Sequence, residues 1–273
     1  LSTERLLQEV RLRAGAGQDG LAMEILDRFP VDDATAETAE AVREAAKEYR
    51  DRRERAGGLV TRLQERVAEL PDDETREAVE PLLDEIAAEM TFATLERLST
   101  FERLGTDADT PADRAVAIAL SGWMQGAGAA TPNLKLALSA ARVRTLLREY
   151  LASDDPGVRG RIRDAIADEE GSDPATIVAL ARQMRPPVEP PEATAPGWHE
   201  FEFAGAEGRS VPVVVQLPPE YDPLRRYPCI VTLHAGFTTP AQQVEWWAGI
   251  PGPDGRRVGQ AGRHGSIVVA PRW

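Results

Sequence analysis

Residues 185–196 read RPPVEPPEATAP, and the chain changes character across them. Five of these twelve residues are proline, which removes amide donors and disfavours helix at each preceding position. The stretch is expected to be a semi-extended linker and the main domain boundary. Upstream of it the apolar residues recur with a helical period. Downstream they alternate or run together as in strands.

On the upstream side, Leu59, Leu63, Val67 and Leu70 fall on one helical face. Val79, Leu82, Leu83 and Ile86 repeat the pattern, as do Leu134, Leu138, Ala141 and Leu146. Thr110-Pro111 and Asp173-Pro174 read as a cap followed by a first-turn proline, and Asp33 can cap the segment 34–56. Breaks are expected at Gly57-Gly58, at 71–73, at 105–109 and at 126–132. About eight helices joined by short links imply antiparallel neighbours. The expectation for 1–184 is therefore an all-α bundle or solenoid. The spacing is too irregular for a defined repeat.

On the downstream side, residues 198–203 alternate around Phe201 and Phe203, and 211–217 are rich in valine. Cys229-Ile-Val-Thr-Leu233 is a short continuous apolar run, which predicts a strand buried on both faces and an inert Cys229 thiol. Residues 240–248 predict a helix opened by Pro240, and 267–270 predict another buried strand. Strand, helix, strand in this order implies a right-handed crossover between parallel neighbours.

The sharpest local signal is Tyr227-Pro-Cys-Ile-Val-Thr-Leu-His-Ala-Gly-Phe237, a strand running into His234-Ala235-Gly236-Phe237 and then a helix. Together with Pro218-Pro219-Glu220-Tyr221-Asp222 before it and Ile267 to Trp273 after it, this ordered set resembles the α/β-hydrolase superfamily, in particular its esterase and prolyl-oligopeptidase-like members. The resemblance covers residues 198–273. It implies a multidomain chain: a helical domain at 1–184, a linker at 185–196, and the N-terminal part of a truncated α/β-hydrolase sheet at 197–273. It also implies a strand order that begins 1-2-4-3, with the third strand at an exposed edge. By the same resemblance the backbone amides of Gly236 or Phe237 would form an oxyanion hole, and His234 would support the loop. Acyl transfer builds negative charge on a carbonyl oxygen, and fixed N–H donors stabilise it. Ala235 and Phe237 stand where the richest form of the motif has glycine.

The nucleophile of that superfamily sits in a Gly-x-Ser-x-Gly elbow, and no such pattern occurs here. Ser121 and Ser139 lie in helical pattern, and Ser210 and Ser266 flank strands. No catalytic residue is therefore assigned within the chain. The expectation is a fragment of a serine hydrolase acting on a small ester or peptide substrate, its Ser-His-Asp triad beyond residue 273 and the fragment itself inactive. The alternative is a helical scaffold that binds a protein partner, with a degenerate hydrolase-like appendage.

Composition excludes other classes. The net charge of −13 argues against nucleic acid as a partner and against an anionic membrane surface. That charge resides entirely in residues 1–196, because 197–273 hold seven basic and seven acidic side chains. A single cysteine and three histidines, with His199 and His264 lacking ligand-spaced partners, point to no metal and no cofactor. Gly122, Gly126 and Gly128 follow no strand and make no dinucleotide fingerprint. No apolar run is long enough to span a membrane. The compartment stays open between cytoplasm and periplasm or exterior.

Overall fold

The computed structural model describes residues 2–187, 195–205, 208–252 and 255–272. Most of the proline-rich linker, 188–194, and Trp273 lie outside the described residues. The architecture is helical up to residue 187 and carries a small mixed sheet after residue 196, a helical region followed by a sheet region.

Eight α-helices come first among the described residues: α1 (Thr3–Gly15), α2 (Asp19–Asp27), α3 (Ala36–Ala68), α4 (Asp73–Glu89), α5 (Ala112–Gln125), α6 (Leu134–Ala152), α7 (Pro156–Ala167) and α8 (Pro174–Gln183). Their caps follow from local chemistry. Asp72, Asn133, Asp155 and Asp173 each accept first-turn amides through the side chain, satisfying donors that have no partner inside the helix. The break expected at Gly57-Gly58 does not occur, because α3 runs unbroken for 33 residues. Each glycine costs a helix about 1 kcal/mol relative to alanine. Leu59 and Leu63, both fully buried just beyond them, hold the helix through that weak point. Asp33 is not the cap. Thr35 takes that place, its hydroxyl accepting the Thr38 amide at 3.2 Å. Pro111, not Thr110, occupies the cap position of α5.

The chain divides into two compact units: Leu1–Tyr49 with Glu189–Trp273, and Arg50–Val188. The composition boundary at 185–196 thus marks the change of secondary structure, and the helical stretch 1–184 is shared between the units. In the second unit Leu59, Leu63, Val79, Ile86, Leu98, Phe101, Trp123 and Leu180 are buried together in a core. α5 is its centre, with every side chain from Ala115 to Met124 buried.

The first unit contains the sheet, with strands β1 (Gly197–Ala204), β2 (Ser210–Leu217), β3 (Cys229–Val231) and β4 (Ile267–Pro271). Their order is β1-β2-β4-β3. β1 and β4 pair antiparallel with β2, whereas β3 pairs parallel with β4. Helix α9 (Pro240–Ala248) and the short α10 (Gln260–Arg263) lie between β3 and β4. The inner face of the sheet packs Val214, Val268 and Ala270 against Val244 and Ala248 of α9.

The same unit holds α1 and α2. Gln18, buried, donates to the Gly262 carbonyl at 2.6 Å and accepts from Arg13 at 2.6 Å. Glu9 binds Arg13 at 2.8 Å and the Arg263 guanidinium at 2.9 Å. Arg225 donates to the Gly17 carbonyl at 2.6 Å. These bonds tie the segment that carries α1 and α2 to α10 and to the loop before β3.

Strand β3 departs from its expected burial. Cys229 and Val231 are exposed, the latter at 65%, and so is Leu233. A continuous apolar run marks a strand covered on both faces, but here β3 is an edge covered on one face. Its thiol is accordingly exposed.

Candidate functional site

β3 ends at Val231, and the next amide, Thr232, still donates to the Val269 carbonyl at 2.9 Å. His234, Ala235, Gly236 and Phe237 therefore stand just past the carboxyl end of a strand that runs parallel to its neighbour. In open sheets with parallel strands this end is where ligands bind.

The loop is built by reciprocal bonds. Ala235 donates its amide to Thr238 Oγ1 at 2.8 Å, and the Thr238 amide returns to the Ala235 carbonyl at 3.0 Å. His234 Nδ1 lies 3.0 Å from the Ala235 carbonyl. Gln243 of α9 reaches back, accepting from Thr232 Oγ1 at 3.0 Å. Thr239 and Gln242 complete a capping box, each side chain bonded to the other's backbone amide. The turn is thus fixed at both ends by side chains of the strand exit and the helix start. Sequence reading passed over Thr238 and Gln243. The Thr239-x-x-Gln242 pattern was the available signal that the turn is tied to the helix.

Inside this frame the amides of Gly236 and Phe237 make no hydrogen bond among the described residues. A Cβ added at Gly236 would meet nothing within 4 Å, so this chain's own packing does not require glycine there. The Phe237 ring is 91% exposed. The structure thus brings His234, Gly236 and Phe237 together on one turn, with two adjacent unengaged donors on an exposed surface.

The other singled-out residues lie in structural settings. Ser121 is buried and donates to the Ala117 carbonyl at 2.6 Å. Ser139 is held between Glu169 at 2.6 Å and the Gly171 amide at 2.9 Å. Ser210 donates to Glu202 at 2.9 Å. His199 stacks on Phe201 with ring centroids 5.9 Å apart, and His264 caps the end of α10. Trp123 is buried core and donates to Glu85 at 2.9 Å. On α9, Trp247 is partly exposed and Trp246 is 83% exposed. Among the described residues, no three His, Cys, Asp or Glu side chains form a group that could hold a metal ion. Among the described residues, no helix is long and apolar enough to cross a membrane.

A cavity of about 640 Å³ lies elsewhere in the same unit and does not include the loop. Trp198 lines it, with Arg257 stacked 4.4 Å from the ring centroid.

No family model matches this chain, and no curated protein and no solved structure is similar to it.

Proposed function

We propose that residues 197–273 form the opening strands of an α/β-hydrolase domain and that Gly236 and Phe237 supply its oxyanion donors. The parent protein would then be a serine hydrolase of esterase or peptidase type. The observation that carries this reading is the conjunction of the strand order β1-β2-β4-β3 with an unengaged pair of amides just past the end of β3. Preorganised backbone donors stabilise a developing oxyanion without reorganising during the reaction. The Thr238 and Gln243 bonds supply that preorganisation here.

The reading assigns no nucleophile, base or acid to residues 1–273. Among the described residues no serine sits on a strand-to-helix turn of the kind that exposes an attacking hydroxyl. A donor pair accelerates acyl transfer only when a nucleophile reaches the same carbonyl. The triad is therefore expected from sequence following residue 273 in the gene.

A fluorophosphonate probe tests this. The full-length gene product is expected to label at one serine outside residues 1–273, and the 273-residue chain is expected not to label. Gly236→Ala should leave the stability of the chain unchanged, because open space surrounds that position. In the full-length enzyme it should lower the rate of labelling. Labelling of a serine within 1–273 would overturn the assignment. A full-length protein that does not label would favour the scaffold reading, with the helical unit as the binding surface.

A further inference from the structure

α4 and α6 leave a groove of about 560 Å³ between them in the second unit, within the range of small-molecule sites. Its α4 wall is Ala78, Pro81, Leu82 and Glu85, spaced as one helical face. Its α6 wall includes Leu138, Ala141, Thr145 and Arg148, again one face. Small side chains stand on both of its walls. Ala78 and Ala141 carry only a methyl group, and Pro81 inside α4 has a compact ring and no amide to donate.

Its charges are unequal. Arg142 is closed onto Glu169 at 2.8 Å. Arg144, whose side chain is only 8% exposed, is closed onto Glu85 at 2.8 Å, and Glu85 also accepts from Trp123 at 2.9 Å. That leaves Arg148. It lines the groove and makes no hydrogen bond among the described residues, and its charge acts on the nearby Glu85 carboxylate. Arg144 Nε is also buried without a partner. Donors thus exceed acceptors around an apolar floor, in a chain whose net charge is −13.

We infer that this groove binds a small organic carboxylate with an apolar body, its chain against Leu82, Leu138 and Ala141 and its carboxylate paired with Arg148. The guanidinium presents a planar fork that matches a carboxylate. Glu85 balances part of the Arg148 charge, but its hydrogen bonds come from Arg144 and Trp123, so the Arg148 N–H donors remain for a ligand. The inference concerns the helical unit and is independent of the hydrolase reading.

Octanoate and 1-octanol share the apolar body and differ in charge. Calorimetric titration of the 273-residue chain should show octanoate binding at one site, with octanol about tenfold weaker, the scale of a charge-assisted hydrogen bond. Arg148→Gln, at an exposed position, should weaken octanoate about tenfold and leave octanol unchanged. Ala141→Phe should fill the groove and abolish binding of both. Octanoate and octanol binding equally, octanoate binding that Arg148→Gln leaves intact, or no octanoate binding at millimolar concentration would each overturn the inference. None of these readouts depends on serine labelling, so the two proposals can fail separately.

Discussion

Glu220 and Gly20 stand 200 positions apart, and the Glu220 carboxylate accepts the Gly20 amide at 3.0 Å. It also accepts the Leu21 amide at 2.7 Å. These are first-turn donors of α2, whose own cap residue, Gln18, makes no capping bond because its side chain is committed to Gly262. A carboxylate there also meets the positive end of the helix dipole. Glu220 adopts φ of 56° to reach this position, a conformation uncommon for a residue other than glycine. The loop leading into β3 therefore caps a helix from the start of the chain.

Removal of that cap should be felt locally. Glu220→Ala is expected to destabilise the first unit by about 1 kcal/mol, the usual cost of losing a helix cap. Amide hydrogen exchange should accelerate at Gly20 and Leu21. Unchanged exchange at both amides would show that the cap contributes nothing in solution.

Acid should weaken both units, through Glu9 and Glu85. For each, burial works to raise the carboxyl pKa. For Glu9 the hydrogen bonds from Arg263 and Arg13 outweigh it, and for Glu85 those from Arg144 and Trp123 do. Both carboxyls are thereby held below the ordinary value of 4.5. The unfolded chain takes up these protons first as pH falls. The stability they contribute is therefore present above pH 4.5 and is lost as pH drops through the folded values. Urea midpoints measured across that window should fall steeply for the native chain. They should fall less steeply for Glu85→Gln, and an equal slope would contradict the pairing.

Gly259 is a site where no side chain fits. A Cβ there would lie 2.2 Å from the Ala248 carbonyl carbon and 2.4 Å from the Gly249 nitrogen, both backbone atoms. The close approach carries the Gly259 amide bond to the Ala248 carbonyl at 2.8 Å, which ends α9. Gly259→Ala is expected to cost about 1–3 kcal/mol, the range for overpacking, and to lower the thermal midpoint. Gly128→Ala, with open space around it, is the matched control and should be near neutral.

The edge of the sheet should associate. β3 has one hydrogen-bonded neighbour among the described residues, and Val231 and Leu233 are exposed beside it. An unpaired ladder with apolar side chains templates pairing with another strand. Sedimentation of the 273-residue chain should show concentration-dependent association, reduced by Val231→Lys. The exposed Cys229 should react with a thiol reagent in the folded state at a rate close to that in urea. A chain that stays monomeric at all concentrations would remove the case for an open edge.

Several elements were legible from local pattern. The helix at 240–248, the strand at 267–270 and the Asp173-Pro174 helix start depend on neighbours within a turn or two, so sequence spacing suffices to read them. The loop at 234–237 was legible in the same way, as a strand exit running through Ala235-Gly236. Its bracing by Gln243 was not, because that bond depends on where α9 docks against β2 and β4. The continuity of α3 through Gly57-Gly58 was misread for a related reason. Propensity registers the cost of two glycines but not the buried Leu59 and Leu63 that offset it.

By itself the sequence determined the class of each segment: helical up to the prolines, strand-forming after them, with the net negative charge confined to the first part. Those are consequences of short-range periodicity and composition. Only the tertiary structure decided which helices belong with the sheet. Glu9, Gln18 and Glu220 carry no distinguishing local pattern, yet their bonds across 254, 244 and 200 positions hold the α1–α2 segment to α10 and to the loop before β3. It likewise decided that Cys229 and Val231 face outward, because an apolar run records hydrophobicity and not how many faces are covered. Burial is a property of the neighbours that arrive from elsewhere in the chain, and no window on the sequence contains them.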